Sequence, residues 1–171
     1  MANVKELAPF ILKWEGGFAN DPQDLGGATN KGITMGTYEQ YCRLKGYPKP
    51  TIERLKNITS EQWMDILKTL YWDKWKADEI KNQSVANILV DWLWASGSYG
   101  IKLPQKVLNV PIDGIVGSKT IAAINSRDPK ELFDAIKAER VAFIDRICQS
   151  RPANIKFKKG WLNRINDFKY A

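Results

Sequence analysis

"EGGFANDPQDLGGATNKGIT", residues 15–34, packs one glutamate, two aspartates, two threonines and two glycine pairs into a stretch with no long apolar run. From residue 18 to 34 no helical period survives. The alternating small and polar residues of "GGATNKGIT" suit a short, turn-rich β-hairpin. The sequence on either side repeats its apolar residues at helical spacing. A lone hairpin set among helices therefore defines the fold class: mainly α, with one small β element near the N-terminus.

Upstream, residues 3–14 read as a helix, with Asn3 and Glu6 in a capping-box relation, apolar Val4, Leu7, Ala8, Ile11 and Leu12, and a stop at Gly16 and Gly17. Downstream, "MGTYEQYCRLKGYPKP" reads as a short helix closed by Gly46 and Pro48. Thr59 and Gln62 open a stronger one, with Trp63, Ile66, Leu67, Leu70, Tyr71 and Trp75 on one face. Ser84 is placed to cap the next, which carries Val85, Ile88, Leu89, Trp92 and Leu93 and ends at Gly97. Two short helices flank the "DGIVG" turn, and Asp128, Pro129 and Glu131 start a long helix. "FKKGWLNRINDF" supplies the last. The predicted division is a catalytic region over 1–96 and a helical region over 97–171, packed together or forming one domain.

A chain of 171 residues is long enough to bury a water-excluding core, and its 44% hydrophobic content with 7 Trp, 6 Tyr and 6 Phe argues against disorder. No run approaches the roughly 18 apolar residues of a membrane span. "MANVKELAPFILKWEGG" lacks the pattern of a cleaved leader, so synthesis in the cytoplasm is expected, with no membrane insertion. Cys42 and Cys148 are too few and too far apart for a metal knuckle; buried thiols are expected, with a disulfide open if the two meet.

The chain has no histidine. That excludes Ser-His-Asp and Cys-His nucleophile systems and His-ligated zinc, and leaves proton transfer to carboxylates. No metal or other cofactor is expected. A net charge of +7 favours a polyanionic partner: an anionic wall polymer, nucleic acid or anionic lipid. Nucleic acid stands behind, because no recognised motif accompanies the charge and the basic residues are dispersed except in "KFKKGW".

Glu15 closes the first helix, where unpaired carbonyls leave partial negative charge. That field disfavours a carboxylate and favours the protonated acid, as shielding by Trp14 and Phe18 also would. A neutral carboxylic acid is what protonation of a leaving oxygen requires. Gly16 and Gly17 carry no side chains, so a bulky ligand can approach the backbone beside it, although Glu-Gly-Gly alone is also a plain helix stop. Asp21 and Asp24 lie in the turn that follows and can bring a second carboxylate towards Glu15. Two carboxylates in unequal environments are the minimal equipment for glycoside hydrolysis. Both aspartates equally suit Asx turns. Thr29 and Thr34 can position a water or a sugar hydroxyl, or merely reflect β propensity. Asp91, Ser96 and Tyr71 are further candidate substrate contacts. Trp92 and Trp94 cannot face the same side of one helix, so one belongs to the core while the other can stack on a sugar ring.

The block at 15–34, with "DWLWASG" at 91–97, "VPIDGIVGSKT" at 110–120 and "FKKGWLNRI" at 157–165, closely resembles glycoside hydrolase family 108, the phage-type N-acetylmuramidases grouped with "secretion activator" proteins. The resemblance implies a lysozyme-like helical fold and a bacteriolytic, endolysin-like enzyme cutting the β-1,4 bond between N-acetylmuramic acid and N-acetylglucosamine. It places the catalytic acid on Glu15. By likeness to the broader phage lysozymes it puts the second carboxylate on Asp24 and a polar positioning residue at Thr29 or Asn30, with Gly16, Gly17 and Phe18 beside the substrate. It also implies a peptidoglycan-binding part over residues 97–171, in which Asp113, Gly114, Gly117 and Thr120 match a characteristic turn. The expected partner is the peptidoglycan glycan strand, met by a monomer after release from the cell, as through a phage holin. Lytic transglycosylase activity and a non-catalytic wall-binding or secretion-helper role are the alternatives.

Overall fold

In the computed structural model, which describes residues 1–20 and 27–171, side-chain caps set most of the helix starts. After α1 (Val4–Trp14) and the hairpin, Thr34 precedes α2 (Met35–Lys45), Thr51 precedes α3 (Ile52–Lys56) and Thr59 precedes α4 (Ser60–Leu67). Asn82 then opens α5 (Gln83–Ser96); α6 (Tyr99–Leu108) and α7 (Ser118–Ser126) follow. Asp128 opens α8 (Pro129–Ser150), and α9 is Ile155–Asn166. Each of the five capping side chains accepts the backbone N–H three residues on, satisfying a donor that the helix leaves orphaned.

Two boundaries differ from the sequence reading. The cap of α5 is Asn82, not Ser84, because asparagine two residues earlier already meets the Val85 N–H at 2.9 Å. Ser84 is buried inside the first turn, and its hydroxyl accepts from the Ala171 N–H. The helix begun at Thr59 does not continue unbroken to Trp75: after Leu67 it passes into one π-helical turn, Lys68–Trp72. The short helix α3 had no counterpart in the sequence reading, since five residues are too few to show a period.

The chain divides into two compact units, Lys5–Leu70 and a second made of Met1–Val4 with Tyr71–Ala171. In the first, strands β1 (Thr29–Asn30) and β2 (Ile33–Thr34) pair antiparallel, Thr29 opposite Thr34 and Asn30 opposite Ile33. The two-residue loop between them has φ of 51° at Lys31 and 84° at Gly32, the signature of a type I′ turn, whose twist matches that of the strands. Leu7, Ile11, Ile33, Tyr38, Tyr41, Leu55, Trp63 and Ile66 are each at most 2% exposed and form this unit's core. α2 and α4 are tied by polar contacts as well. The Tyr41 hydroxyl donates to Asp65 at 2.5 Å and the Tyr38 hydroxyl to Gln62 at 3.4 Å. That Tyr41 hydrogen bond holds the Asp65 carboxyl below the usual carboxylate range against the opposing effect of burial, and Lys45 adds to it.

In the second unit α5 is the buried axis, with Val85, Ile88, Leu89, Val90 and Trp92 sealed from solvent. α6 and α8 pack on it, and α9 packs on α8. Gly100 sets the closest approach: a Cβ there would stand 2.5–2.6 Å from the Trp92 carbonyl group and the Leu93 nitrogen, so any side chain would force α5 and α6 apart. Cys42 in the first unit and Cys148 in the second are free and buried, 1% and 5% exposed. No helix among the described residues is long and apolar enough to cross a membrane.

Candidate active site

Glu15 follows directly on α1, and its N–H makes a last helical bond to the Ile11 carbonyl at 2.9 Å. The chain then turns back, and Ala19 exchanges two backbone hydrogen bonds with Thr29, each 2.8 Å, so the segment after the glutamate is zipped to the outer side of β1. This return brings the half-buried Glu15 side chain onto the hairpin turn. A Cβ on Gly32 would lie 2.7 Å from the Glu15 carboxyl carbon and 2.9 Å from its Oε2, inside any contact real Cβ atoms make. Glycine at 32 thus suits the positive φ, and a side chain there would displace the Glu15 carboxyl from its present place.

Gly16 and Gly17 are different. Neither has a positive φ, and a Cβ at either meets no described atom within 4 Å, so neither backbone strain nor packing among the described residues demands glycine there. Open space beside the acid is what an approaching polymer needs. Phe18, 37% exposed, extends the same edge, with the Lys56 ammonium 5.8 Å from its ring centre.

Two polar candidates of the hairpin, Asn30 and Thr34, have side chains that serve the scaffold. Asn30 is 5% exposed, and its amide donates to the Leu55 and Lys56 carbonyls at 2.9 and 3.1 Å, covering two acceptors that the end of α3 leaves unpaired. Thr34 caps α2, its hydroxyl accepting from the Thr37 N–H and bonding the Thr37 hydroxyl. Thr29 stays half-buried on β1, its backbone shared between Ala19 and β2. Asp21 and Asp24 lie outside the described residues.

Tyr71, Asp91 and Ser96 belong to the second unit. There Tyr71 and Trp94 lie ring against ring, centroids 4.8 Å apart, both half-buried, while Trp92 is fully buried. The division between a core tryptophan and a partly exposed one therefore falls as helix geometry requires. Ser96 is half-buried at the last position of α5. Asp91 is a correction: it is completely buried, one oxygen accepting from Arg140 at 2.8 Å and from Arg164 at 3.2 Å, the other from Arg164 at 2.6 Å. Its carboxylate locks α5 to α8 and α9 and faces no groove. Burial pulls the Arg140 guanidinium down from its ordinary pKa, and Asp91 opposes that shift.

The Asp113–Gly114 turn is likewise built from within. Gln105, fully buried on α6, donates to the Asp113 carboxylate, the Ile115 carbonyl and the Thr120 hydroxyl at 3.0–3.4 Å and accepts from the Gly114 N–H at 2.9 Å. Hydrogen bonds from the Ile115 N–H and then Gln105 hold the Asp113 carboxyl below its ordinary range, so its support of the turn is present above the usual carboxylate pKa and lost as pH falls through the lowered one. A small cavity of about 250 Å³ opens beside this turn, lined among others by Pro111, Ile115 and Lys119.

Sequence reasoning missed Gly32, which lies against Glu15, and Trp63, whose indole N–H donates to the Lys31 carbonyl at 3.0 Å. Gly32 left a signal, a glycine at the second loop position of a short hairpin. Trp63 left none, because its place on the apolar face of α4 reads only as core.

Comparison with known proteins matches this architecture in two consecutive pieces. The family model described as Glycosyl hydrolase 108 matches residues 8–97, and that described as Predicted Peptidoglycan domain matches residues 99–166. Among solved structures, "Structure of Brucella abortus SagA" is similar over 95% of this chain and 89% of that one, at 29% identity and a TM-score of 0.79. No curated protein matches the chain. With its matched residues spanning more than half of the chain and its lysozyme-like, mainly helical fold in place, the protein belongs to glycoside hydrolase family 108 and is a peptidoglycan hydrolase.

Proposed function

We propose that the protein is an N-acetylmuramidase that cleaves the β-1,4 bond between N-acetylmuramic acid and N-acetylglucosamine, with Glu15 as general acid. The observation that carries this reading is the seating of the Glu15 carboxyl on the Gly32 turn, beside the open backbone of Gly16 and Gly17. An acid directly followed by two glycines whose Cα atoms have open space beside them among the described residues is arranged to give a proton to a glycosidic oxygen. Asp24, or Asp21 in its place, supplies the second carboxylate, which stays ionised to activate water or steady positive charge at the sugar carbon. Thr29, half-buried on β1, is available to orient water or a sugar hydroxyl. In the second unit, the Tyr71–Trp94 pair offers an aromatic surface on which a sugar ring can stack, with Ser96 nearby in sequence.

The enzyme acts on the cell wall as a monomer, its positive charge favouring an anionic polymer. Digestion of purified peptidoglycan followed by mass analysis of the fragments tests the reading. New reducing N-acetylmuramic acid ends are expected. Anhydro-muramic ends would instead mean transglycosylation, which needs only the one glutamate, and reducing N-acetylglucosamine ends would move the cut to the other bond.

A further inference from the structure

We infer that Trp63 is a positioning residue for Glu15, acting through the hairpin turn from 48 residues away. The inference rests on the reading of Glu15 as the acid. Trp63 sits on α4, 2% exposed, and its indole Nε1–H donates to the Lys31 carbonyl at 3.0 Å. That carbonyl belongs to the peptide unit joining Lys31 to Gly32, whose Cα is the surface on which the Glu15 carboxyl lies. Fixing the plane of this one peptide fixes the floor under the acid.

The rest of the hairpin needs such an anchor. Lys31 has φ of 51°, a left-handed conformation disfavoured for a residue with a side chain, so the turn must be held by its surroundings. Two-stranded hairpins of this length are not stable alone. Asn30 clamps the start of the loop to the end of α3 through its two amide hydrogen bonds, and Trp63 clamps its middle to α4. α4 is itself tied to α2 by the Tyr41–Asp65 and Tyr38–Gln62 contacts, so the indole is a rigid donor. Gly32 then transmits the position by contact, because nothing stands between its Cα and the carboxyl group. An acid displaced by about 1 Å from its proton acceptor loses on the order of 100-fold in rate.

The test compares Trp63→Phe, which keeps an aromatic ring in the core but removes the N–H, with Ile66→Val, a mild core change on the same helix, and with Glu15→Gln. Steady-state kinetics on soluble glycan fragments, the pH profile of kcat and thermal melting are measured for each. Expected for Trp63→Phe is a folded protein whose kcat falls by roughly 10- to 100-fold with KM within about twofold, and whose kcat–pH profile is displaced. Ile66→Val should melt at a lower temperature while keeping the kcat and pH profile of the parent. If Trp63→Phe matches Ile66→Val in kcat and pH profile while Glu15→Gln is inactive, the link from Trp63 to the acid is wrong and the acid stands. Wild-type turnover by Glu15→Gln would remove the acid, and the link with it.

Discussion

Glu15→Gln is expected to fold and melt like the parent protein and to release soluble fragments from peptidoglycan about 10²–10⁴-fold more slowly. Glutamine has the same shape, so it can lie against Gly32 as glutamate does. What it lacks is an acidic proton. A glycosidic oxygen leaving without protonation must depart as an alkoxide, and the remaining contributions of substrate binding and the second carboxylate cannot offset that. Turbidity clearing of purified walls and quantification of new reducing ends read the loss directly, with a melting curve to show that the fold survives. A variant within twofold of the parent would exclude Glu15 from the proton transfer.

Removal of the Asp91 carboxylate carries the largest expected cost in stability. Asp91→Ala takes a buried carboxylate away from Arg140, 4% exposed, and Arg164, 13% exposed. Stripping one partner from a buried ion pair typically costs about 3–5 kcal/mol, since a charge in the interior loses its compensation. For a chain of this size that corresponds to a fall in Tm of roughly 10 °C. Arg140 is poorly placed to recover. Among the described residues its second terminal nitrogen meets no hydrogen-bond partner, and its guanidinium lies 5.7 and 6.0 Å from the Phe168 and Trp92 ring centres. Differential scanning calorimetry measures the loss. An architectural role also requires that replacing all three residues, Asp91, Arg140 and Arg164, by apolar ones of similar volume restore much of the lost Tm. A Tm unchanged in Asp91→Ala would show that the three charges do not depend on one another.

These two residues also show what the sequence could and could not reveal. The place of Glu15 was legible because its signals are local: a helix end followed by two glycines without side chains. Thr59 and Asp128 were legible as caps for the same reason, since a cap and the N–H it serves are three residues apart. Asp91 misled because an acidic residue beside two tryptophans resembles a binding edge, while the guanidinium groups that claim it come from 49 and 73 positions further along the chain. Asn30 and Thr34 show a related limit: polar residues on a hairpin beside an acid look chemical, and the structure adds that each serves an unpaired backbone group nearby. Pairing across such distances is decided by packing, and no short motif announces it.

Cys42 and Cys148, one in each compact unit and both shielded, have a practical consequence. The two residues are only 1% and 5% exposed, each at the wall of a small open cavity, so a bulky alkylating reagent reacts slowly there and the labelling rate of each thiol follows loosening of the packing in its own half of the chain. The native sequence therefore carries two independent reporters, by which glycan binding to one half can be told from stiffening of the other without adding any probe.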